Sequence, residues 1–334
     1  MTRRRIDVIR DASIELKLEG NNAGAIQDLY SLGSRLLSIH ARGIFEVQLP
    51  DQVDPGRTNP AIQPTYQQVL GVGSESPDVV RTLLQARRLF RPGFIPPPVD
   101  LVRAQEIVFD GLQDLLAMRD IADTVTAQIT GLIESFNAAK VKRGLPSLPN
   151  LKPQCEMFMQ KAKHVTASMR DLAREFVPDA AAKKDWPAAV VAAAGPASES
   201  GAENASEAWA SWAEFLAFVA DARNAMEHRD QHKRFIVRPF LLTPENAIVP
   251  PVIEIVHPRR PHPPMLAHQF LNEVTDLLRD SYETLIAGLA AAHAVEFAGL
   301  QTAVFSVPDD ERTSRPERYA YYGLKPDGEW AMYL

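Results

Sequence analysis

The chain has 334 residues, of which 46% are hydrophobic and 23% charged, so it is long enough for two globular domains. Its formal net charge of −6 argues against a protein that binds nucleic acid over its whole surface. No apolar run approaches the roughly 20 residues that span a bilayer, and no secretory signal follows the basic start.

Cysteine usage and local charge narrow the class further. Cys155 is the only cysteine, which excludes a disulfide framework and a cysteine-based zinc site, so we expect a cytoplasmic protein without a membrane contact. Residues 222–238 hold five basic residues against two acidic ones, and residues 257–262 (HPRRPH) form a second basic cluster. We interpret the second cluster as an exposed loop that could contact RNA, and we expect no metal there because a carboxylate partner is lacking.

The first part of the chain, residues 1–97, is predicted to be a helical extension with long loops. Four prolines break residues 49–64 into a loop. A further helix is expected to begin at Ser76 and Pro77 and to end near Phe90. Earlier in the chain, a helix is predicted from the helical spacing of five residues, Ile26, Leu29, Tyr30, Leu36 and Leu37.

Two long helices are predicted in the middle of the chain, over residues 100–143 and 153–176. Asp100 can cap the first, and Gly144 and Pro146 end it. Both helices carry an apolar residue at every seventh position, the pattern of helices that pack at shallow angles. The seam residues are Val108, Leu115, Ala122, Ile129 and Phe136 in the first helix and Cys155, Phe158, Ala162, Val165, Met169, Leu172 and Phe176 in the second.

The last part of the chain alternates helices with strands. Residues 195–202 read as a flexible linker, and Asn204 with Glu207 forms a capping-box-like start for a helix to about Asp230. A final helix is predicted over residues 264–295. Strands are predicted over residues 235–242, 252–256, 303–307, 318–322 and 329–334.

One hexapeptide in this chain suggests a specific chemistry. Residues 223–228 read Arg-Asn-Ala-Met-Glu-His, an arginine, a polar residue directly after it and a histidine four residues further on. The spacing resembles the motif of the HEPN (higher eukaryotes and prokaryotes nucleotide-binding) superfamily, many of whose members are metal-independent RNA-cleaving enzymes. With the predicted helices, the resemblance implies a mainly α fold.

The expected architecture is a HEPN-like four-helix bundle of long antiparallel helices over residues 98–300. A β-hairpin at about residues 234–256 is inserted in it, the helical extension precedes it, and a small antiparallel β element follows at residues 301–334. The resemblance also implies that the active cleft lies at the interface of a homodimer.

The residue types fit RNA cleavage by attack of a ribose 2′-hydroxyl on the neighbouring phosphate. Histidine titrates near neutral pH, so His228 would act as general base or acid. Arg223 would bind the phosphate with its planar fork of donors, and Asn224 would orient the imidazole. Substrate contacts are expected from Arg229, His232 and Lys233, and no metal or cofactor is required.

Helix geometry favours a composite site. Arg223 and His228 are five residues apart, about 140° around a helix, so one helix cannot easily aim both at one group. Two helices related by a two-fold axis can. The Ala217–His228 face, which continues a ridge of alanines, is the predicted dimer contact.

Other roles remain open for the same residues. Arg223 and Glu227 could form a surface ion pair, and Asn224 and His228 an ordinary hydrogen-bonded pair. The chain would then be a non-catalytic HEPN-like dimeric interaction or nucleotide-binding module. As an enzyme, it would act as a toxin or phage-defence effector with a possible antitoxin or regulatory partner. Some family toxins carry a modifiable tyrosine two residues after the histidine, but this chain has Asp230 there.

Overall fold

The computed structural model describes residues 4–11, 23–139, 144–194, 202–228, 230–245, 247–312 and 317–333, with the backbone alone over residues 202–208. Two compact units divide the chain, residues 1–80 and residues 81–334.

The first unit is built on a four-stranded antiparallel sheet with strand order β1-β2-β3-β4. Its elements are α1 (Arg5–Arg10), β1 (Ile26–Leu32), β2 (Arg35–His40), β3 (Gly43–Gln48), α2 (Pro50–Val53), β4 (Thr65–Leu70) and α3 (Pro77–Val79).

The prediction of a helical extension is therefore wrong for residues 26–70. Leu32 pairs with Arg35 across a two-residue turn, Gly33-Ser34, in which Gly33 has a φ of +58°. A glycine-serine pair between apolar runs is a hairpin signal. Tyr30 and Leu32 are buried while Ser31 between them is exposed, which is the period of two of a strand.

The second unit contains the remaining helices. A π-helical turn at Val80–Leu84 leads into the first of them. The helices are α4 (Gln85–Leu89), α5 (Leu101–Ala138), α6 (Leu151–Phe176), α7 (Pro178–Ala182), α8 (Trp186–Ala194), α9 (Ala202–Glu227) and α10 (Ala267–Ala292).

Three small antiparallel sheets complete the second unit, with strand orders β5-β8-β9, β6-β7 and β10-β11-β12. Their strands are β5 (Arg234–Arg238), β6 (Leu241–Leu242), β7 (Ile248–Val249), β8 (Val252–Val256), β9 (His262–Leu266), β10 (Thr302–Ser306), β11 (Tyr319–Leu324) and β12 (Trp330–Met332).

The predicted fold class, a mainly α four-helix bundle, is wrong. Helices make up about 49% of the structure and strands about 21%, in four separate sheets, so the protein is mixed α/β. Besides the N-terminal sheet, the prediction missed β9, whose Pro263 and Pro264 argued for a loop. Because β9 is an edge strand paired only with β8, with a register shift beside the prolines, the missing N–H groups leave no ladder bond unmade.

The long helices were predicted well. α5, α6 and α10 begin and end within a few residues of the predicted bounds, and every residue of the two predicted seven-residue seams is buried. Asp100 caps α5 by accepting a hydrogen bond from the backbone N–H of Arg103. The expected linker at 195–202 and the capping-box side chains lie outside the described parts of the chain, except for the backbone from residue 202.

α9 and α10 approach closely because Gly288 has no side chain. A Cβ added at Gly288 would lie 1.8 Å from Cζ2 of Trp209. Trp209 itself is buried and meets Trp212 edge to face with ring centroids 5.2 Å apart. The Trp212 indole N–H donates to the carbonyl oxygen of Ser281 at 3.0 Å. These contacts seat α9 on α10.

We predict that Gly288→Ala lowers the free energy of unfolding by about 1–3 kcal/mol, because the ring of Trp209 must move. The matched control is Gly131→Ala at an exposed position in the last third of α5, where the added Cβ would meet nothing within 4 Å outside the backbone of its own helix. There the substitution should stabilise by about 0.5–1 kcal/mol. Urea unfolding followed by tryptophan fluorescence measures both, and equal stability of the two variants would contradict the close approach.

Candidate functional site

The predicted catalytic residues lie at the C-terminal end of α9. The core side of this helix end is formed by Val219, Ala222, Ala225 and Met226, all buried. The helix stops at Glu227, so His228 is the first residue beyond it. The motif thus lies at the exposed end of a helix that packs against the core along its length.

Arg223 forms an ion pair with Glu227, the role that the i,i+4 spacing left open for it. The side chains are 24% and 32% exposed, so the pair is close to the surface and contributes only a few tenths of a kcal/mol, about 0.3–0.5. Nε of Arg223 is buried and has no hydrogen-bond partner among the described residues. The Nη2 atom of the guanidinium is therefore held by the ion pair, while Nε has no hydrogen-bond partner among the described residues.

Asn224 and His228 are joined through the backbone. The N–H of His228 donates to the carbonyl oxygen of Asn224 at 2.9 Å, which closes the last turn of the helix. Asn224 is half-buried and His228 is exposed. Within the described structure the imidazole has no side-chain partner, so solvent or a second molecule can reach it.

The predicted substrate-contact residues are placed unevenly. Arg229 lies outside the described residues. His232 is exposed, and its backbone N–H donates to Oδ1 of Asp230 at 2.6 Å. That bond is the main reason why the pKa of Asp230 lies below its usual range. Lys233 is half-buried, and its carbonyl oxygen accepts from the N–H of Asp230 at 3.1 Å. Asp230 thus holds the turn after the motif.

A buried carboxylate on the same face of α9 was missed by the sequence analysis. Asp221 is 3% exposed and lies seven residues before His228, about 20° around the helix. It forms ion pairs with Arg259 and, at 2.9 Å, with Nη1 of Arg260. Nδ1 of the buried His257 lies 3.6 Å from its Oδ2.

Arg260 ties the loop after β8 to a second carboxylate of α9. Its Nε and Nη2 donate to the two carboxylate oxygens of Glu214 at 2.7 and 2.9 Å. This pairing is the main reason why the pKa of Glu214 lies below its usual range. Arg259, by contrast, keeps 68% of its side chain exposed. We call Arg259 and Arg260, with Asp221 and Glu214, the arginine cluster.

Two sequence signals could have indicated the arginine cluster. Asp221 and His228 have the i,i+7 spacing of one helix face, and residues 257–262 form a basic run without an acidic partner of their own. Neither signal indicates that α9 and the basic run at residues 257–262 are in contact.

The histidines near the last helix do not form a metal site in the described structure. His257 belongs beside Asp221, and His262 begins β9. His268 lies in α10, where burial lowers its pKa. Over the described residues there is no group of three His, Cys, Asp or Glu side chains that could hold a metal ion.

In comparison with known proteins, no protein-family model, no curated protein and no solved structure matches this chain. The resemblance to HEPN proteins therefore rests on the six-residue motif at 223–228 alone. A search of the described helices for a membrane span also finds none of sufficient length and apolarity.

We predict that Arg259→Ala with Arg260→Ala lowers the free energy of unfolding by about 3 kcal/mol, because Asp221 is left as a buried charge without a cation. The matched control is Arg238→Ala, which breaks the more exposed pair with Glu254 and should cost at most about 1 kcal/mol. Thermal and urea unfolding measure both. Equal losses would mean that Asp221 does not depend on the two arginines.

Proposed function

We propose that this chain is a metal-independent endoribonuclease of HEPN type. The observation that carries the proposal is the Arg-Asn-x-x-x-His motif at the accessible end of a long, core-packed helix, with His228 exposed and Nε of Arg223 unsatisfied. A histidine and an arginine are the side chains that this reaction needs, a base near neutral pH and a fixed cation for the phosphate.

In the proposed reaction His228 removes the proton from a ribose 2′-hydroxyl. The 2′ oxygen forms a bond to the adjacent phosphorus, and the bond from phosphorus to the 5′ oxygen of the next nucleotide breaks. An imidazolium returns a proton to that leaving oxygen, so the products are a 2′,3′-cyclic phosphate and a 5′-hydroxyl. Arg223 binds the phosphate, and Asn224 orients the imidazole from the preceding turn.

Arg223 would exchange Glu227 for the phosphate when RNA binds. The exchange is feasible because a partly exposed i,i+4 pair contributes little, whereas a guanidinium on a phosphate can form two parallel charge-assisted hydrogen bonds. The Arg223–Glu227 pair also supports the second candidate, a non-catalytic HEPN-like interaction or nucleotide-binding module, in which that pair is the arginine's whole role.

The proposed active form is a homodimer joined through the Ala217–His228 face. In the single chain Ala210 and Ala220 are exposed and Ala213 and Ala217 are half-buried, so a second helix could lie on this ridge of small side chains, on the side away from the loop whose Arg259 and Arg260 cover Asp221. A cytoplasmic toxin or phage-defence effector, acting on RNA and held in check by an antitoxin or another regulatory partner, fits this activity. The single buried thiol of Cys155 is compatible with that compartment.

We predict that the protein cuts mixed RNA in the presence of EDTA and leaves 2′,3′-cyclic phosphate ends. His228→Ala should lower the rate about 10²–10⁴-fold, the usual contribution of general acid–base catalysis. Arg223→Ala should lower it about 10²–10³-fold through lost charge stabilisation. Cleavage is followed on denaturing gels with end-group analysis.

Two variants control for side effects of these substitutions. His164→Ala removes a partly exposed histidine of α6 and should cleave like the wild type. Glu227→Ala breaks the ion pair but leaves Arg223 in place, so it should retain or increase activity. Equal cleavage by wild type, His228→Ala and Arg223→Ala would remove the enzymatic proposal. Absence of cleavage by the wild type, with loss of dimer in the two variants, would favour the interaction module.

A composite site makes a separate prediction for mixtures. If each cleft takes its arginine from one subunit and its histidine from the other, equal mixing of Arg223→Ala and His228→Ala chains yields one intact cleft per mixed dimer. Activity should recover to about a quarter of the wild-type level, since about half of the dimers are mixed. Activity no higher than that of the separate variants would place each site within one chain.

A further inference from the structure

A small open pocket lies beside the arginine cluster, between α9, β9 and α10. Its volume is about 230 Å³, and its walls include Phe215, Phe218, His262, Phe270, Glu273 and Leu277. We call it the aromatic pocket. Sites for drug-sized ligands have volumes of roughly 300–1,000 Å³, so this pocket suits a group as small as one heterocyclic base.

Four of the eight residues that line the aromatic pocket carry rings. Phe215 and Phe218 are roughly parallel with centroids 6.3 Å apart, Phe218 meets His262 at 5.8 Å, and His262 meets Phe270 edge to face at 5.5 Å. Phe270 is buried, whereas Phe215 and Phe218 are only half-buried. Partly exposed rings around a concave space are the surface on which unpaired bases stack.

The polar lining of the pocket is a carboxylate. Glu273 is exposed on α10, and none of the described side chains pairs with it. Nδ1 of His262 lies 2.7 Å from the carbonyl oxygen of Pro263, which can only accept, so the ring donates there. The pocket therefore offers hydrogen-bond acceptors, and a bound group must supply donors.

The pocket adjoins the arginine cluster and, along α9, approaches the motif. Phe218 is one turn before Asp221, and His262 is two residues after Arg260. Arg259 remains largely exposed despite its ion pair. From Phe218 to His228 the rise along the helix is about 15 Å, which a short stretch of single-stranded RNA can span. A base in the pocket would therefore leave its neighbouring phosphates beside Arg259.

We propose that the aromatic pocket binds one unpaired base of the RNA and prefers guanine. This inference rests on the proposed function, since it names a base-recognition subsite of the same RNA-binding surface. Guanine presents two adjacent donors, N1–H and the N2 amino group, which match the two oxygens of one carboxylate. Uracil presents carbonyl oxygens on both sides of its one N–H, and these would face Glu273 unfavourably.

The test measures binding without cleavage. Fluorescein-labelled 2′-O-methyl pentanucleotides UUNUU, with N as each of the four bases, lack the attacking hydroxyl, and fluorescence anisotropy gives their dissociation constants. The wild-type protein should bind the guanine probe about tenfold more tightly than the uracil probe, the value of one good bidentate contact.

Two substitutions separate the contributions of the pocket walls. Glu273→Gln should reduce the guanine preference to about twofold or less, because an amide replaces one acceptor oxygen by a donor. The matched control is Glu134→Gln at an exposed position of α5, which should keep the preference. Phe218→Leu, which keeps an apolar contact but removes the ring, should weaken binding of all four probes about fivefold or more. Thermal unfolding confirms that each variant is folded.

Several results would contradict the proposed role of the aromatic pocket in base binding. Equal binding of the four probes by the wild type, or a guanine preference unchanged in Glu273→Gln, removes it as a recognition site. Unchanged binding in Phe218→Leu together with a reduced dimer fraction in sedimentation would make it a subunit contact. These failures differ from failure of the nuclease. RNA cleavage lost in His228→Ala with no base preference removes only the pocket, whereas guanine-selective binding without cleavage removes only the nuclease.

Discussion

The packing of α9 on α10 determines the positions of both the candidate site and the aromatic pocket. Trp209 lies over the bare backbone at Gly288, and Trp212 donates to the carbonyl oxygen of Ser281, so the N-terminal half of α9 is held by packing and by a hydrogen bond. Arg223 lies 14 residues after Trp209, about 21 Å along the helix. A helix anchored in this way transmits its orientation to its far end. The motif and the aromatic pocket are therefore presented by one rigid element.

Charge around the arginine cluster is balanced rather than positive. Two arginines meet two carboxylates, so +2 and −2 sum to zero, and the whole chain carries −6. Such a surface attracts a distant phosphate only weakly, because the fields of opposite charges a few ångströms apart nearly cancel at a distance. Salt screens the remaining attraction beyond about 8 Å. RNA recognition on this surface must therefore depend on short-range contacts. Stacking on the rings of the aromatic pocket is a contact of that kind.

The parts of the fold that could be predicted are those with repeated local signals. Long apolar seams indicated α5 and α6, because a seven-residue repeat can only be buried along one side of a helix. The N-terminal sheet was missed because Leu29, Tyr30, Leu36 and Leu37 have helical spacing and not the alternation of a strand, and the deciding signal was the short turn Gly33-Ser34. Strand β9 was missed because its edge position, which tolerates proline, is a property of the sheet and not of the segment.

Only the part of the candidate site that one helix positions could be predicted from the sequence. Arg223 and Asn224 lie on α9 and His228 directly follows it, so their order along the end of the helix follows from the sequence. The arginine cluster joins segments 38 and 39 residues apart, and no spacing rule connects Asp221 to Arg259 or Arg260. The pocket is harder still, because its walls come from a helix, an edge strand and a second helix, and the strand itself was not expected.

The faces of α9 are compatible with dimer contact, base binding and cleavage on one helix. Phe215 and Ala217 are two residues apart, about 160° around the helix, so a second subunit on the alanine ridge leaves the aromatic pocket open. His228 lies about 80° from Phe218 but only about 20° from Ala217, so it belongs to the dimer face, about 15 Å further along the axis than Phe218. A base held in the pocket is thus too far from the imidazole to supply the reacting 2′-hydroxyl. Recognition and cleavage would involve different nucleotides of the same strand, with the cut displaced from the recognised guanine.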